Sequence, residues 1–259
     1  MAMTDEPHVL IVAGSDSSGG AGIARDIETV SAFGLRACLA VTAVTVQTHE
    51  GVSHVEPMFP DLVAAQMRAA LTANRVGAIK IGMLGGADAI AAVAGVLKEH
   101  EGIPVILDPV LAATSGRPLL PVAAISALRR ELMPLCALVT PNLDELAILA
   151  ADTPAADEAM SLAQARRLME GGAQAVLVKG GHASGPQATD LLLRSGCAPV
   201  SFEALRLDGQ MRGTGCMLAS AVAALMARGE PMEQSIGRAK QYVFDKLAAR
   251  SKPIRPGRR

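Results

Sequence analysis

The sequence predicts an α/β fold with a mainly parallel central sheet covered by helices on both faces. Short apolar runs of strand length alternate with longer stretches of helical spacing along most of the chain. Those short runs are apolar at nearly every position instead of alternating with polar residues, as strands buried on both faces must be. Composition agrees: in 259 residues, 50% are hydrophobic and only 19% charged, enough apolar surface for a substantial core.

Taken in order, residues 8–13, 37–41, 78–81, 104–107, 137–139 and 175–178 read as buried strands. The stretches 22–33, 61–73, 88–100, 122–133 and 161–170 have the length and apolar spacing of crossover helices between them. After Gly180-Gly181 the pattern changes. Residues 188–193 and 199–207 read as strands with no helix between, followed by helices starting at Thr214 and Met232. Neither a linker-like composition shift nor an internal repeat interrupts the series, so one domain spanning 1–259 is expected. The basic tail from about 251 onward is expected to be a flexible, solvated end.

Net charge is −1 and aromatic residues make up 2%, so neither a basic surface nor base-stacking rings point to nucleic acid. No uninterrupted apolar run reaches membrane-spanning length, and the start Met1-Ala2-Met3-Thr4-Asp5-Glu6 is acidic, unlike a secretory signal. A cytoplasmic location is the expectation. Cys38, Cys136, Cys197 and Cys216 are far apart, with no C-x-x-C pair, which favours reduced thiols over disulfides or structural zinc.

In an open parallel sheet, ligands bind beyond the carboxyl ends of the strands, and the polar punctuation of this chain falls there. Gly14-Ser15-Asp16-Ser17-Ser18-Gly19-Gly20, Gln47, Gly82-Met83-Leu84-Gly85, Asp108-Pro109, Thr140-Pro141-Asn142 and Lys179-Gly180-Gly181-His182 each follow an expected strand. The tetrad Gly213-Thr214-Gly215-Cys216 opens a helix that reads as buried. Unpaired amides and the positive end of such a helix attract phosphate, and glycines permit its close approach. At that helix end the Cys216 thiol pKa should fall, giving a base for an attacking alcohol. An ordinary glycine-rich turn before a core helix is the alternative reading.

Other residues carry similar pairs of readings. Asp108 faces metal or nucleotide, or simply starts a turn before Pro109. Asn142 and Glu145 suit hydrated Mg²⁺ with phosphate oxygens, or cap the helix starting near Leu143. Lys179 meets a polyphosphate, or snorkels at a strand end. Asp26 and Gln47 are the polar groups suited to fixing a small heteroaromatic ligand, although Asp26 on a helix is equally read as solvent-facing. The chain has no G-x-x-x-x-G-K-[ST], G-x-G-x-x-G or G-x-S-x-G motif, so any phosphate chemistry belongs to another architecture.

Residues 13–23 with Asp26, then Lys80-Ile81-Gly82-Met83-Leu84, Leu107-Asp108-Pro109-Val110, Thr140-Pro141-Asn142-Leu143-Asp144-Glu145, Val178-Lys179-Gly180-Gly181-His182 and the 213–216 tetrad resemble, in order, the hydroxymethylpyrimidine/phosphomethylpyrimidine kinases of thiamine biosynthesis. That resemblance implies a ribokinase-like three-layer αβα sandwich, ATP, Mg²⁺, a small-molecule pyrimidine substrate and a homodimer. It places Gly14, Asp26, Gln47, Met83 and Val110 on the pyrimidine, and Asp108, Asn142, Glu145, Lys179 and Thr214 on nucleotide and metal, with Asp108 and Glu145 as the metal ligands. Cys216 is then the base, in the cradle formed by Gly213, Thr214 and Gly215 with Lys179. Vitamin B6 kinases are close relatives, so pyridoxal or pyridoxine is the nearest alternative substrate, and a non-catalytic pyrimidine sensor is the alternative from another class. The chain departs from the family's usual residues at Ser17, Ala24-Arg25, Thr48-His49, Asp208-Gly209-Gln210-Met211, Arg212 and Met217, mostly around the substrate rim.

Overall fold

The computed structural model describes residues 6–113, 115–180, 186–207 and 211–251. The expected basic tail, Gly181-His182 of the Lys179 motif, and Asp208-Gly209-Gln210 lie outside the described residues. Ten strands and eight α-helices are laid out as β1(His8–Ala13), α1(Gly22–Ala32), β2(Arg36–Val41), β3(Ala43–Gln47), β4(Val52–Pro57), α2(Pro60–Ala73), β5(Val76–Ile81), α3(Ala87–Glu99), β6(Val105–Leu107) and α4(Val122–Ala127) among the described residues. They continue as β7(Leu138–Val139), α5(Leu143–Ala150), α6(Glu158–Glu170), β8(Ala175–Val178), β9(Gln187–Arg194), β10(Val200–Leu205), α7(Thr214–Ala227) and α8(Met232–Ser251).

Eight strands form one sheet in the order β10-β9-β8-β7-β6-β5-β1-β2. The pairs from β2 to β8 in this order are parallel, whereas β9 pairs antiparallel with both β8 and β10. Strand order reverses at β1, which has β2 on one side and β5 on the other, so the crevice beyond its carboxyl end is the place a doubly wound sheet offers a ligand. The alternation of side chains across each strand divides the core in two. Leu10, Val12, Ile79, Ile81 and Leu107 pack under α2 to α6, while Val9, Ile11, Ala13, Ala78 and Ile106 pack under residues of α1, α7 and α8. The result is the expected three-layer αβα sandwich, and it explains why these strands lack a polar face.

Three features differ from the sequence reading. Residues 43–57 form a separate antiparallel hairpin, β3–β4, so Gln47 ends β3 and does not lie at the carboxyl end of the strand at 36–41. The helix expected over 122–133 keeps α geometry only to Ala127, then widens to a π turn at Leu128–Leu132 and tightens to a 3₁₀ turn at Met133–Leu135. Pro134 has no N–H to return to Arg130, so the regular ladder cannot run through it. Helix α6 starts at Glu158, three residues before the expected start, because the Asp157 side chain accepts from the Met160 N–H at 2.8 Å and caps it. Replacing Asp157 with alanine removes that acceptor and is expected to lower stability by about 1 kcal/mol in urea unfolding. An unchanged midpoint would mean the cap does not hold the helix start.

Candidate active site

The carboxyl ends of β1, β5, β6, β7 and β8 meet the first turns of α1, α5 and α7 around a cluster of charges. At its floor, Lys80 and Asp26 are both fully buried, with Nζ 2.8 Å from Oδ2. The other Asp26 oxygen accepts from Ser220 Oγ at 2.7 Å. Lys80 from β5 thus holds α1, and Ser220, one turn beyond Cys216, ties both to α7. Gly82 leaves room for this arrangement, since a Cβ there would lie 2.9 Å from Lys80 Nζ. The sequence reading quoted Lys80 within a motif but gave it no role. The signal was a lone lysine inside an otherwise apolar strand buried on both faces, which demands a buried anion as partner.

Above this floor, Lys179 Nζ lies 2.7 Å from Asp108 Oδ1 and 3.7 Å from Glu145 Oε2. The backbone builds this contact: Lys179 N–H donates to Pro141 O at 2.8 Å, extending the β7–β8 pairing so that Lys179 stands beside Asn142. Asn142 and Glu145 form a complete capping box, each side chain accepting the other residue's N–H at 2.8 Å. The capping reading therefore holds, and the same box turns Glu145 toward Lys179. Helix α7 begins over the pair. A Cβ on Gly215 would lie 3.1 Å from Lys179 Nζ and 3.5 Å from Asp108 Oδ2, and Gly213 enters in the left-handed region at φ 75°. No side chain caps α7, so its first amides face the cluster unsealed.

Counting Asp26, Asp108 and Glu145 against Lys80 and Lys179 leaves one excess negative charge if all are ionised. The acidities follow from that balance. Burial works against ionised Asp108, yet Lys179 and Lys80 outweigh it and hold the carboxyl below its usual range. Burial pushes Glu145 up to about 7, with Lys179 opposing and Asp108 adding to the shift. Lys80 and Lys179 are both held protonated against burial, by Asp26 and by Asp108 with Glu145. Burial also raises Asp26 against the opposing effect of Lys80.

Cys216 departs from expectation. Its thiol is pushed up to about 12, because burial, with Asp26 and Asp108 nearby, outweighs the help of Lys80 and of the Gly22 N–H. Part of the residue is exposed, but the thiol is shielded from water and lies close to Asp108. A helix N-terminus alone does not ionise a thiol set between two carboxylates.

On the other side of the crevice, Gly14 packs against Met83, where a Cβ on the glycine would lie 2.6 Å from Met83 Cε. Val110 follows directly on Asp108-Pro109 and lines a small recess with Gly82, Leu84 and Leu107. Gln47 sits at the hairpin's turn end, its main-chain N–H and C=O both bonded to Ser17 Oγ at 2.8 Å. Structure therefore groups Asp108, Asn142, Glu145, Lys179 and the 213–216 tetrad on one side, and Gly14, Met83, Val110 and Gln47 on the other, with Asp26 beneath. Thr214 opens α7 without a capping side chain. Among the described residues, no three or more His, Cys, Asp or Glu side chains converge as a metal cage. Mg²⁺ is ordinarily held by one or two carboxylates together with substrate phosphates, a requirement that Asp108 and Glu145 fit.

Two measurements test this geometry. Lys80→Met leaves Asp26 buried without a counter-charge and should cost about 3–5 kcal/mol in urea unfolding, while Lys80→Met with Asp26→Leu should recover most of it. A single variant as stable as the parent would mean that the pair is not buried. In ligand-free protein at pH 8, a thiol of pKa about 12 is ionised about once in 10⁴ molecules, so iodoacetamide should modify the exposed Cys197 well before Cys216 by peptide mass mapping. Equal labelling rates would contradict the raised pKa.

Similarity to known proteins identifies the family. The phosphomethylpyrimidine kinase family matches residues 16–258. The chain is 43% identical over 241 residues to the hydroxymethylpyrimidine/phosphomethylpyrimidine kinase of Rhizobium meliloti, covering 93% of this chain and 90% of the relative. Among solved structures, it superposes on phosphomethylpyrimidine kinase from Clostridium difficile 630 with TM-score 0.80 at 30% identity, covering 93% of this chain and 100% of the other. An ADP complex of Bacillus subtilis pyridoxal kinase gives TM-score 0.85, also at 30% identity, covering 93% and 91%. Fold and sequence similarity converge: the chain belongs to the phosphomethylpyrimidine kinase family and has the ribokinase-like fold.

Proposed function

We propose that the protein transfers the γ-phosphoryl group of ATP to the hydroxymethyl oxygen of 4-amino-5-hydroxymethyl-2-methylpyrimidine, and then a second phosphoryl group to the monophosphate, acting as one domain in the cytoplasm. The observation that carries this reading is the uncapped start of α7 directly over Lys179 and Asp108, with the Cys216 thiol inside the same cluster. Phosphoryl transfer asks a protein mainly for positioning and for stabilisation of charge on the phosphoryl oxygens. The amides of 213–216 and the Lys179 ammonium offer both, with Asn142 and Thr214 at the same edge. Mg²⁺, held by Asp108 and Glu145, would neutralise phosphate charge.

The excess negative charge of the cluster favours a cation there, and binding one competes with the proton on Glu145. A cation held by Asp108 would weaken one of the influences that keep the proton on Cys216. Once the thiol has given its proton to solvent, Lys80 and the Gly22 N–H support the thiolate, which takes the alcohol's proton and returns to the thiol as the oxygen bonds to phosphorus and the bond to ADP breaks. On the acceptor side, Gly14, Met83, Val110 and Gln47 receive the pyrimidine. Asp26 is fully buried, so direct contact between it and the pyrimidine requires the groups that cover it to move aside.

The second acceptor is already largely ionised near neutral pH and hardly needs a base. Cys216→Ala is therefore expected to slow phosphorylation of the free alcohol by about 10²-fold or more, and that of the monophosphate much less. Equal losses would remove the base role. The test of the whole reading offers the alcohol, its monophosphate and pyridoxal separately with ATP and Mg²⁺, and identifies products by mass. Similarity to pyridoxal kinase favours pyridoxal as the second reading, so a phosphorylated pyridoxal without pyrimidine products would replace the first.

We further propose a homodimer, since Val44 and Val46 on β3 and the nearby Phe59 and Leu62 expose apolar surface. Sedimentation velocity should give twice the chain mass; a monomer at assay concentration would contradict this.

A further inference from the structure

Arg212 stands immediately before the tetrad and touches two segments far away in sequence. Its Nη1 donates to the Thr48 carbonyl at 2.7 Å and to Ser18 Oγ at 3.2 Å, and Nη2 lies 3.2 Å from Asp16 Oδ2. Asp16 is nearly buried, and its other oxygen already accepts from the Ser18 N–H and hydroxyl at 2.9 and 2.7 Å. Main chains are close as well, since a Cβ on Gly213 would lie 2.6 Å from Gly20 O. The hairpin stands outside the main sheet, and at its turn end Ser17 bonds both main-chain groups of Gln47. Three segments thus converge on one guanidinium: the loop after β1, the hairpin turn and the start of α7.

We infer that Arg212 is a positioning residue, which locks the acceptor loop and Gln47 in register with the amides that open α7. The inference rests on the phosphoryl-transfer reading above for its consequence and on the contacts alone for its geometry. A planar fork reaches Asp16 from one nitrogen and Ser18 and Thr48 from another, a division that a lysine, whose donors all sit on a single atom, cannot reproduce. Its partner Asp16 is shielded from solvent, so the pair is not an ordinary surface ion pair of negligible effect. Ser17 belongs to the same network through a hydroxyl that bonds both main-chain groups of Gln47, a double tie that only a hydrogen-bonding side chain can make. Ser17, Thr48 and Arg212 are thereby joined in one network around the acceptor rim.

The test compares Arg212→Met and Arg212→Lys with the parent by hydrogen–deuterium exchange and by steady-state kinetics. Loss of the clamp should speed exchange in residues 15–20 and 47–51 while β5 to β8 stay protected. The Michaelis constant for hydroxymethylpyrimidine should rise about 10-fold, as loss of a charge-assisted hydrogen bond implies, while that for ATP changes less than about twofold. Lysine keeps a charge beside Asp16 but cannot span the fork, so it should fold normally and fall between the other two in both readouts. Unchanged exchange at both segments in the methionine variant, or parental behaviour of the lysine variant in both readouts, would overturn the clamp. A rise confined to the ATP constant would overturn its assignment to the acceptor side. If the parent phosphorylates no acceptor, the phosphoryl-transfer reading fails while the exchange comparison still decides whether Arg212 locks the loop.

Discussion

The buried ion pair between Lys80 and Asp26 is the interaction on which the rest of the site depends. It joins β5 to α1 in the sheet's interior, and through Ser220 it also fixes the face of α7 that carries Cys216. Taking two charges out of water costs several kcal/mol per ion, recovered only when geometry and extra hydrogen bonds are good. Such a pair is a poor way to gain stability. Its use here is to set a permanent positive charge beneath the thiol and beside Asp108 while remaining out of reach of solvent.

From that floor the charges alternate outward, Asp26, Lys80, Asp108, Lys179 and Glu145, each restrained by the next. The alternation explains why carboxylates in the same buried cluster behave oppositely. Asp108 lies between two ammonium groups and stays ionised, whereas Glu145 meets only Lys179 and retains its proton up to about 7. It also explains a thiol that stays protonated in the free protein, since the carboxylates that organise the lysines also repel a thiolate. Ligand binding is then the event that changes the charge balance, and the uncapped α7 amides are fixed in place before it happens.

Much of this was legible in the sequence because a doubly wound sheet places its ligand edge at strand ends, and polar residues at the ends of apolar strands are conspicuous. Asp108, Lys179 and the 213–216 tetrad were found that way. Strands 8–13 and 175–178 were read to the residue, since burial on both faces leaves no ambiguity of period. The hairpin escaped because the buried positions of β3 are Ala43 and Thr45, small or polar residues that do not look like a core face, while Val44 and Val46 on that strand are exposed. Asp26 read as a pyrimidine contact or a solvent-facing helical acid, and its pairing with Lys80 escaped because that partner lies 54 residues away on a strand. The acidity of Cys216 was misjudged for a related reason: a helix end is visible in sequence, but the carboxylates around a sulfur atom are set by tertiary packing.

The central claim is that the polyphosphate lies against Lys179 and the start of α7, and the most direct measurement of it is the turnover of Lys179→Met with ATP and Mg²⁺. Methionine keeps the apolar stem and removes only the charge, so the variant should fold with an unchanged circular dichroism spectrum and still bind hydroxymethylpyrimidine in calorimetry. Its activity should fall by the equivalent of about 2–4 kcal/mol of transition-state stabilisation, the loss expected for one strong electrostatic donor. Near-parental turnover in a folded variant would make Lys179 a counter-ion for Asp108 and nothing more, and would contradict the placement of the nucleotide.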